Sequence, residues 1–317
     1  MRPAQKPRVS PFLAILFGIL AVSTASIFIR FAQREVASLV IAAWRLTIAS
    51  LILIPVALST HKQELSRLSR KEYLLAGLSG FFLALHFATW ITSLQYTSVA
   101  SSVVLVSTIP LWVALLSPVT LKEPIRRTVL IGLACALVGG AVVGVSDSCT
   151  SVSGRIICPS LSSFIHGQAF LGDFLAVCGA IAGAGYLLIG RKLRSKMSLV
   201  SYISLVYGMA AIVLVIIMFS AGHKPFGFSP QMYLWLVLLA VIPQLIGHST
   251  FNWALGYLSA AFVSITLLGE PIGSTILAYF ILQETPSPLK IGGGALILVG
   301  IYVASRSEAQ KAPELPD

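Results

Sequence analysis

The chain has 317 residues, of which 56% are hydrophobic and only 10% are charged. A water-facing surface takes about 25% charged residues, so a soluble globular enzyme is excluded, and so is a disordered chain. The net charge of +11 would point to nucleic acid on a soluble protein. Here the basic residues sit in short gaps between apolar runs, where they set membrane orientation.

A spanning helix takes roughly 20 mainly apolar residues. Ten stretches qualify, which predicts an all-α polytopic membrane protein. The first repeat unit holds Phe12–Ile29, Val36–Leu58, Tyr73–Leu94, Val99–Leu121 and Thr128–Val145. The second holds Gly172–Gly190, Leu199–Ser220, Tyr233–Phe251, Gly256–Leu282 and Ile291–Ala304. The first span follows Arg2, Lys6 and Arg8 in the manner of a signal peptide. Its apolar run is longer than the roughly 7–15 residues of a signal core, so it is read as retained. The connections are too short for a separate soluble domain, and the longest gap is Ser146–Leu171.

With both termini placed in the cytoplasm, the inside segments hold 16 Lys and Arg and the outside segments 5, with Arg45 left inside a span. That bias predicts a multi-pass protein of the inner or plasma membrane. Cys149 and Cys158 then share the external gap between spans 5 and 6, where they form either a disulfide or two free thiols. Cys135 and Cys178 lie in spans and read as small packing residues. The four Cys follow no metal-ligand spacing, and no cofactor or metal motif is present in the sequence.

The chain matches itself at a shift of 161 residues. Tyr96, Ser98, Ala100, Pro110, Leu121 and Glu123 fall on Tyr257, Ser259, Ala261, Pro271, Leu282 and Glu284. Over residues 96–142, 13 of 47 positions are identical without a gap. Gly18 on Gly179 and Arg30 on Arg191 extend the shift to the first spans. The expected units are a first five-helix repeat over 1–148, a connecting loop over 149–169, a second repeat over 170–306 and a cytoplasmic tail over 307–317. Five is odd, so the second copy enters the membrane in the opposite sense. Inverted repeats are a secondary-transporter architecture, with a site near the midplane between the halves.

Two five-helix repeats in about 300 residues resemble the drug/metabolite transporter superfamily. The run Leu268, Gly269, Glu270, Pro271, followed by Ala278, Leu282 and Glu284, resembles the EamA-type signature. The first repeat carries a weaker version in Pro110 and the run Leu121, Lys122, Glu123, Pro124. The resemblance implies a ten-helix export or exchange carrier with a central cavity. The repeats differ at the key acid, because Ile109 stands where Glu270 does.

Ionisable groups inside a membrane usually face a bundle interior or cavity. The deep ones are Arg45, His86, His248 and Glu270, while Asp173 is expected to reach water at a span end. Gln244, His248 and Asn252 recur every four residues on one face of span 8. Thr266, Glu270 and Ser274 form a similar stripe on span 9, and His86 shares a face of span 3 with Trp90. The expected substrate-binding set is Arg45, His86, Trp90, Gln244, His248, Asn252, Trp253 and Glu270. Arg45 either pairs with Glu270, holds a substrate carboxylate or bonds backbone. Interhelical hydrogen bonding by these side chains is the structural alternative. Glu270 and His248 are the coupling candidates, with protons as the coupling ion. Pro110, Pro243 and Pro271 are candidate hinges, since each removes a backbone N–H inside a span. Gly140 with Gly144, and Gly179 with Gly183, read as small-residue packing faces.

These features predict a secondary active transporter that exports or exchanges small polar or amphipathic metabolites such as amino acids. A homodimer is left open. A channel or receptor is the second class, although no charged ring or filter-like loop is visible. Gly77, Leu78, Ser79 and Gly80 match the short pattern of intramembrane serine proteases, with His86 or His248 as base, and form a remote third class.

Overall fold

A computed structural model describes residues 11–120, 127–148, 150–152, 155–157, 167–258 and 260–309. The described chain is almost wholly helical. In order it forms α1 (Pro11–Ser23), α2 (Ala25–Ala32), α3 (Ser38–Thr60), α4 (Lys62–Ser66), α5 (Arg70–Tyr96), α6 (Val99–Val106), α7 (Ile109–Thr120) and α8 (Arg127–Ser148). It continues with α9 (Gln168–Arg194), α10 (Leu199–Ser220), α11 (Pro230–Leu239), a π-helix (Ala240–His248), α12 (Ser249–Ala254), α13 (Ala260–Thr266), α14 (Gly269–Leu277), a π-turn (Ala278–Leu282) and α15 (Pro288–Ala309). A small antiparallel ribbon, β1 (Thr150–Val152) with β2 (Arg155–Ile157), lies in the gap expected to be loop. Cys149 and Cys158 lie outside the described residues, as do Glu123 and the first ten residues.

Seven helices among the described residues are long and apolar enough to cross a bilayer, and three shorter apolar helices accompany them. The protein is therefore a polytopic membrane protein. Large apolar side chains such as Phe17, Leu51, Leu74, Ile212 and Phe280 are exposed on its outer face. Polar ones such as Ser79, Ser93, Ser101, Gln244 and Asn252 are buried. That inversion is the one a hydrocarbon solvent imposes, because an unbonded polar group facing lipid is costly.

Several stretches expected as single helices are broken, each for a local reason. α6 stops at Val106 and α7 begins at Ile109, with Pro110 in the first turn of the new helix. α13 stops at Thr266 and α14 begins at Gly269, with Pro271 in its first turn. Proline lacks the donor a continuous helix needs but is tolerated in a first turn, so the helix restarts there. Pro243 lies inside the π-helix, a widened geometry that accommodates a missing N–H.

Glycines set the closest approaches. A side chain at Gly139 would stand 2.6 Å from the Gly293 carbonyl oxygen, and one at Gly293 would stand 2.8 Å from the Gly139 carbonyl oxygen. Thus α8 and α15 cross at Gly139, while Gly140, expected on a packing face, lies against Leu105 of α6. On α9, Gly179 packs on Thr89 and Trp90 of α5, and Gly183 packs on His86 and Ile109. Gly80 of α5 faces the Val206 carbonyl oxygen of α10 at 2.6 Å from its would-be Cβ.

Carboxylates at the helix ends tie distant parts of the chain together. Glu35 accepts from the Ser229 N–H (3.1 Å) and hydroxyl (3.0 Å) just before α11. Glu64 accepts from the Ser198 N–H at 2.6 Å just before α10. Glu284 accepts from the Val99 N–H at 2.9 Å, at the start of α6. The first turn of a helix leaves N–H groups unpaired, and an anion is favoured there. At Glu64, burial pushes the carboxyl up, but the Ser198 and Ser201 hydrogen bonds outweigh it and hold the group below its ordinary value of 4.5.

Candidate functional site

The two helix breaks meet. Between them lies a cavity of about 30 Å³, walled by Val106, Ser107 and Ile109 of the first break and by Leu267 and Glu270 of the second. His86 and Trp90 of α5 and His248 at the end of the π-helix complete the wall. A broken helix leaves backbone unpaired, which a membrane tolerates only where it lines a cavity or is buried in protein.

Four of the sequence-expected residues are therefore together: His86, Trp90, His248 and Glu270. The two imidazole rings are 6.5 Å apart between centroids, and His86 stacks on Trp90 at 6.0 Å. His86 Nδ1 lies 2.8 Å from the Gly179 carbonyl oxygen. A carbonyl only accepts, so Nδ1 carries the proton, and in the neutral ring Nε2 is left as an acceptor. The Trp90 indole N–H is buried without a hydrogen-bond partner among the described residues. Among the described residues, Glu270 is the one acid on the wall.

The other four are set apart from that wall. Arg45 is fully buried on α3 and donates from Nε to Gln244 Oε1 at 2.7 Å. Its guanidinium lies 4.1 Å from the centre of the Phe87 ring, a cation–π contact. Neither Arg45 Nη atom has a hydrogen-bond partner among the described residues. Among the described residues no ion pair joins Arg45 to Glu270; the observed pair is Arg30 with Glu284. Phe87 meets His248 edge-on at 5.2 Å, so Arg45 touches the cavity wall through the Phe87 ring. Asn252 accepts from the Tyr186 hydroxyl (2.6 Å) and donates to the Tyr207 hydroxyl (3.2 Å) and the His248 carbonyl (2.9 Å). Of the stripe Gln244, His248, Asn252, the first and last are buried and His248 is half-buried; only His248 is on the cavity wall, and the three serve different neighbours. Trp253 is half-buried against Tyr257 at 4.9 Å. Ser274 donates to the Ser23 carbonyl at 3.1 Å and holds α14 to α1. Asp173, expected at water, is buried.

Sequence reading missed Ser107, Ile109 and Leu267. Their signal was the residues just ahead of Pro110 and Pro271, where a helix must restart. It also missed Phe87, which is hidden beside His86 in the sequence. Ser79 is fully buried, with its hydroxyl 2.9 Å from the Tyr202 hydroxyl. No histidine bonds it, so the Gly77–Gly80 run is a packing surface of α5.

A multi-pass bundle with broken helices around a buried polar cavity is the arrangement of a membrane transporter, not of an enzyme. The EamA-like transporter family matches residues 9–145 and again 170–306. The chain belongs to that family. A protein of Archaeoglobus fulgidus described as an uncharacterized transporter is 22% identical over 302 residues, covering 94% of this chain and 98% of that one. A second from the same organism is 25% identical, covering 92% and 95%. The uncharacterized transporter YyaM of Bacillus subtilis is 23% identical, covering 83% of each. A solved crystal structure aligns with TM-score 0.62 at 19% identity, covering 96% of this chain and 99% of that one, which is a likeness of fold.

Proposed function

We propose that the protein is a secondary active transporter that exports or exchanges small polar or amphipathic metabolites, such as amino acids, by alternating access around the midplane cavity. In this reading ten spans form two inverted five-helix repeats, over 1–148 and 170–306, in the plasma membrane. Both termini are cytoplasmic and the loop over 149–169 is external.

The observation that carries the reading is that both broken helices wall one cavity. Ser107 and Leu268 are equivalent at a shift of 161, so the breaks at 107–108 and 267–268 coincide to within one residue. A second contact recurs at the same shift. Arg30 donates to the Thr97 carbonyl at 3.3 Å. Its equivalent Arg191 donates to the Leu258 carbonyl, the equivalent of Thr97, at 2.9 Å. Two similar halves open to either side at similar energy, which is the physical basis of alternating access.

A cavity of about 30 Å³ has room for a water molecule and not for a metabolite. In this reading, loading a metabolite requires the halves to part. Without a nucleotide motif in the sequence, uphill transport draws on an ion gradient or exchange. Glu270, with His248 at similar depth, is the group that loads a proton facing one side and releases it facing the other.

The test is a metabolite screen for counterflow in proteoliposomes, followed by Glu270→Gln. Counterflow marks a carrier and its absence marks a channel or receptor. The variant should fold, exchange substrate and no longer respond to an imposed pH gradient. A folded variant that still accumulates substrate on a pH gradient would remove Glu270 from coupling.

A further inference from the structure

Arg30, Glu284 and the junction of α5 with α6 form a second charged cluster, away from the cavity. Glu284 uses both oxygens. Oε1 accepts from Arg30 Nη2 at 3.0 Å, and Oε2 accepts from the Val99 N–H at 2.9 Å. Arg30 also holds the Thr97 carbonyl. Beside them, Lys290 Nζ donates to the Ser98 hydroxyl at 3.0 Å. The cluster thus gathers four segments: α2, the start of α6, the end of the π-turn after α14, and the start of α15.

Two of these segments, the start of α6 and the end of the π-turn after α14, are the far ends of stretches that wall the cavity. Val99 begins α6, and Ser107, just past its other end, lies eight residues on, or about 12 Å at the rise of an α-helix. Glu284 follows the helical stretch that starts at Gly269 and carries Glu270. The site cannot open toward this end unless α6 parts from α14. That separation breaks the Glu284–Val99 cap, which crosses between the two helices, and pulls apart the two partners of Arg30, which from α2 holds both Glu284 and the Thr97 carbonyl just before α6. The pair is part-buried, its side chains 28% and 26% exposed, so it is screened less than a surface pair.

We propose that Arg30 and Glu284, with the Val99 amide, are a latch that holds this end of the transporter closed and is released when the cavity opens to that side. The inference rests on the alternating-access reading above. It assigns the closure to one ion pair and one helix cap, both made by a single carboxylate from the other half of the chain.

The test needs no substrate. Ser107→Cys is introduced in a background with the four native cysteines replaced, and the protein is reconstituted in vesicles of known sidedness. A membrane-impermeant thiol reagent is applied from each face. Applied at the face carrying Arg30, it should react slowly in the parent and at least about fivefold faster with Arg30→Gln or Glu284→Gln, the low end of a conformational coupling. Arg30→Lys keeps the charge and should stay within about twofold of the parent. The reaction from the opposite face should fall in the same variants, which a merely loosened protein would not show.

If the introduced thiol reacts from the opposite face but Arg30→Gln and Glu284→Gln leave both rates at the parental values, the latch is overturned and alternating access stands. If it reacts from neither face in any variant, alternating access around Ser107 fails and the latch fails with it.

Discussion

The bond between Arg45 and Gln244 yields a sharp energetic prediction. Arg45 is a fully buried cation with one hydrogen bond, one aromatic face and two unpartnered Nη atoms. Gln244→Leu removes the hydrogen bond and leaves the charge in place, a loss of about 1.5–3 kcal/mol for a bond to an ionised group. The Phe87 contact, worth about 2 kcal/mol when desolvated, survives. At roughly 2–4 °C per kcal/mol for a chain of this order of size, the apparent Tm should fall by roughly 3–12 °C. In an Arg45→Met background the same substitution should cost almost nothing, because it removes a buried amide that has already lost its partner. The coupling across the cycle should be about 2 kcal/mol. The assay is thermal unfolding in detergent at one fixed scan rate, since large proteins unfold irreversibly and the midpoint depends on that rate. Equal costs of Gln244→Leu in both backgrounds would refute the claim that Gln244 holds Arg45. A strong Arg45 coupling for Glu270→Gln instead would restore the ion pair that the sequence suggested.

Three further outcomes are expected. Gly139→Ala should destabilise by about 1–3 kcal/mol, as overpacking does, because its Cβ would meet the Gly293 carbonyl; Gly292→Ala, with nothing within 4 Å, should be silent, and equal midpoints would refute the crossing at Gly139. Ser79→Ala should lower stability by about 1 kcal/mol, the net worth of one hydrogen bond, and leave counterflow intact; loss of counterflow in a folded variant would give Ser79 a role beyond packing. Glu64 has its carboxyl held below 4.5 in the folded protein, so its ionised form is the one that caps α10. The cap therefore contributes above that ordinary value and is lost as pH falls through the depressed one. Hydrogen exchange at the Ser198 amide should rise over that acid range, and Glu64→Gln should abolish the pH dependence; a rise of the same size in the variant would refute the assignment.

Much of this protein could be read in order along the chain. Composition alone implied membrane residence, because 10% charged residues leave too little to face water. The apolar runs marked where helices lie, since each must satisfy its own backbone in lipid. Pro110 and Pro271 marked the two breaks, because a missing N–H acts locally and shows in the sequence. His86, Trp90, His248 and Glu270 could be singled out because an ionisable or polar group deep in an apolar run has few uses there.

The partners of these groups were not legible, because they depend on which faces meet. Arg45 is 199 residues from Gln244 and 225 from Glu270, and depth in the membrane does not choose between them. The packing of α3 against the π-helix brings Gln244 to its Nε, while the Phe87 ring contacts both its guanidinium and His248. Asn252 looked like a cavity residue from its spacing, yet two tyrosine hydroxyls from α9 and α10 take up its amide. Helical periodicity tells which residues share a face. Only the packing of the helices decides whether that face meets another side chain or open space.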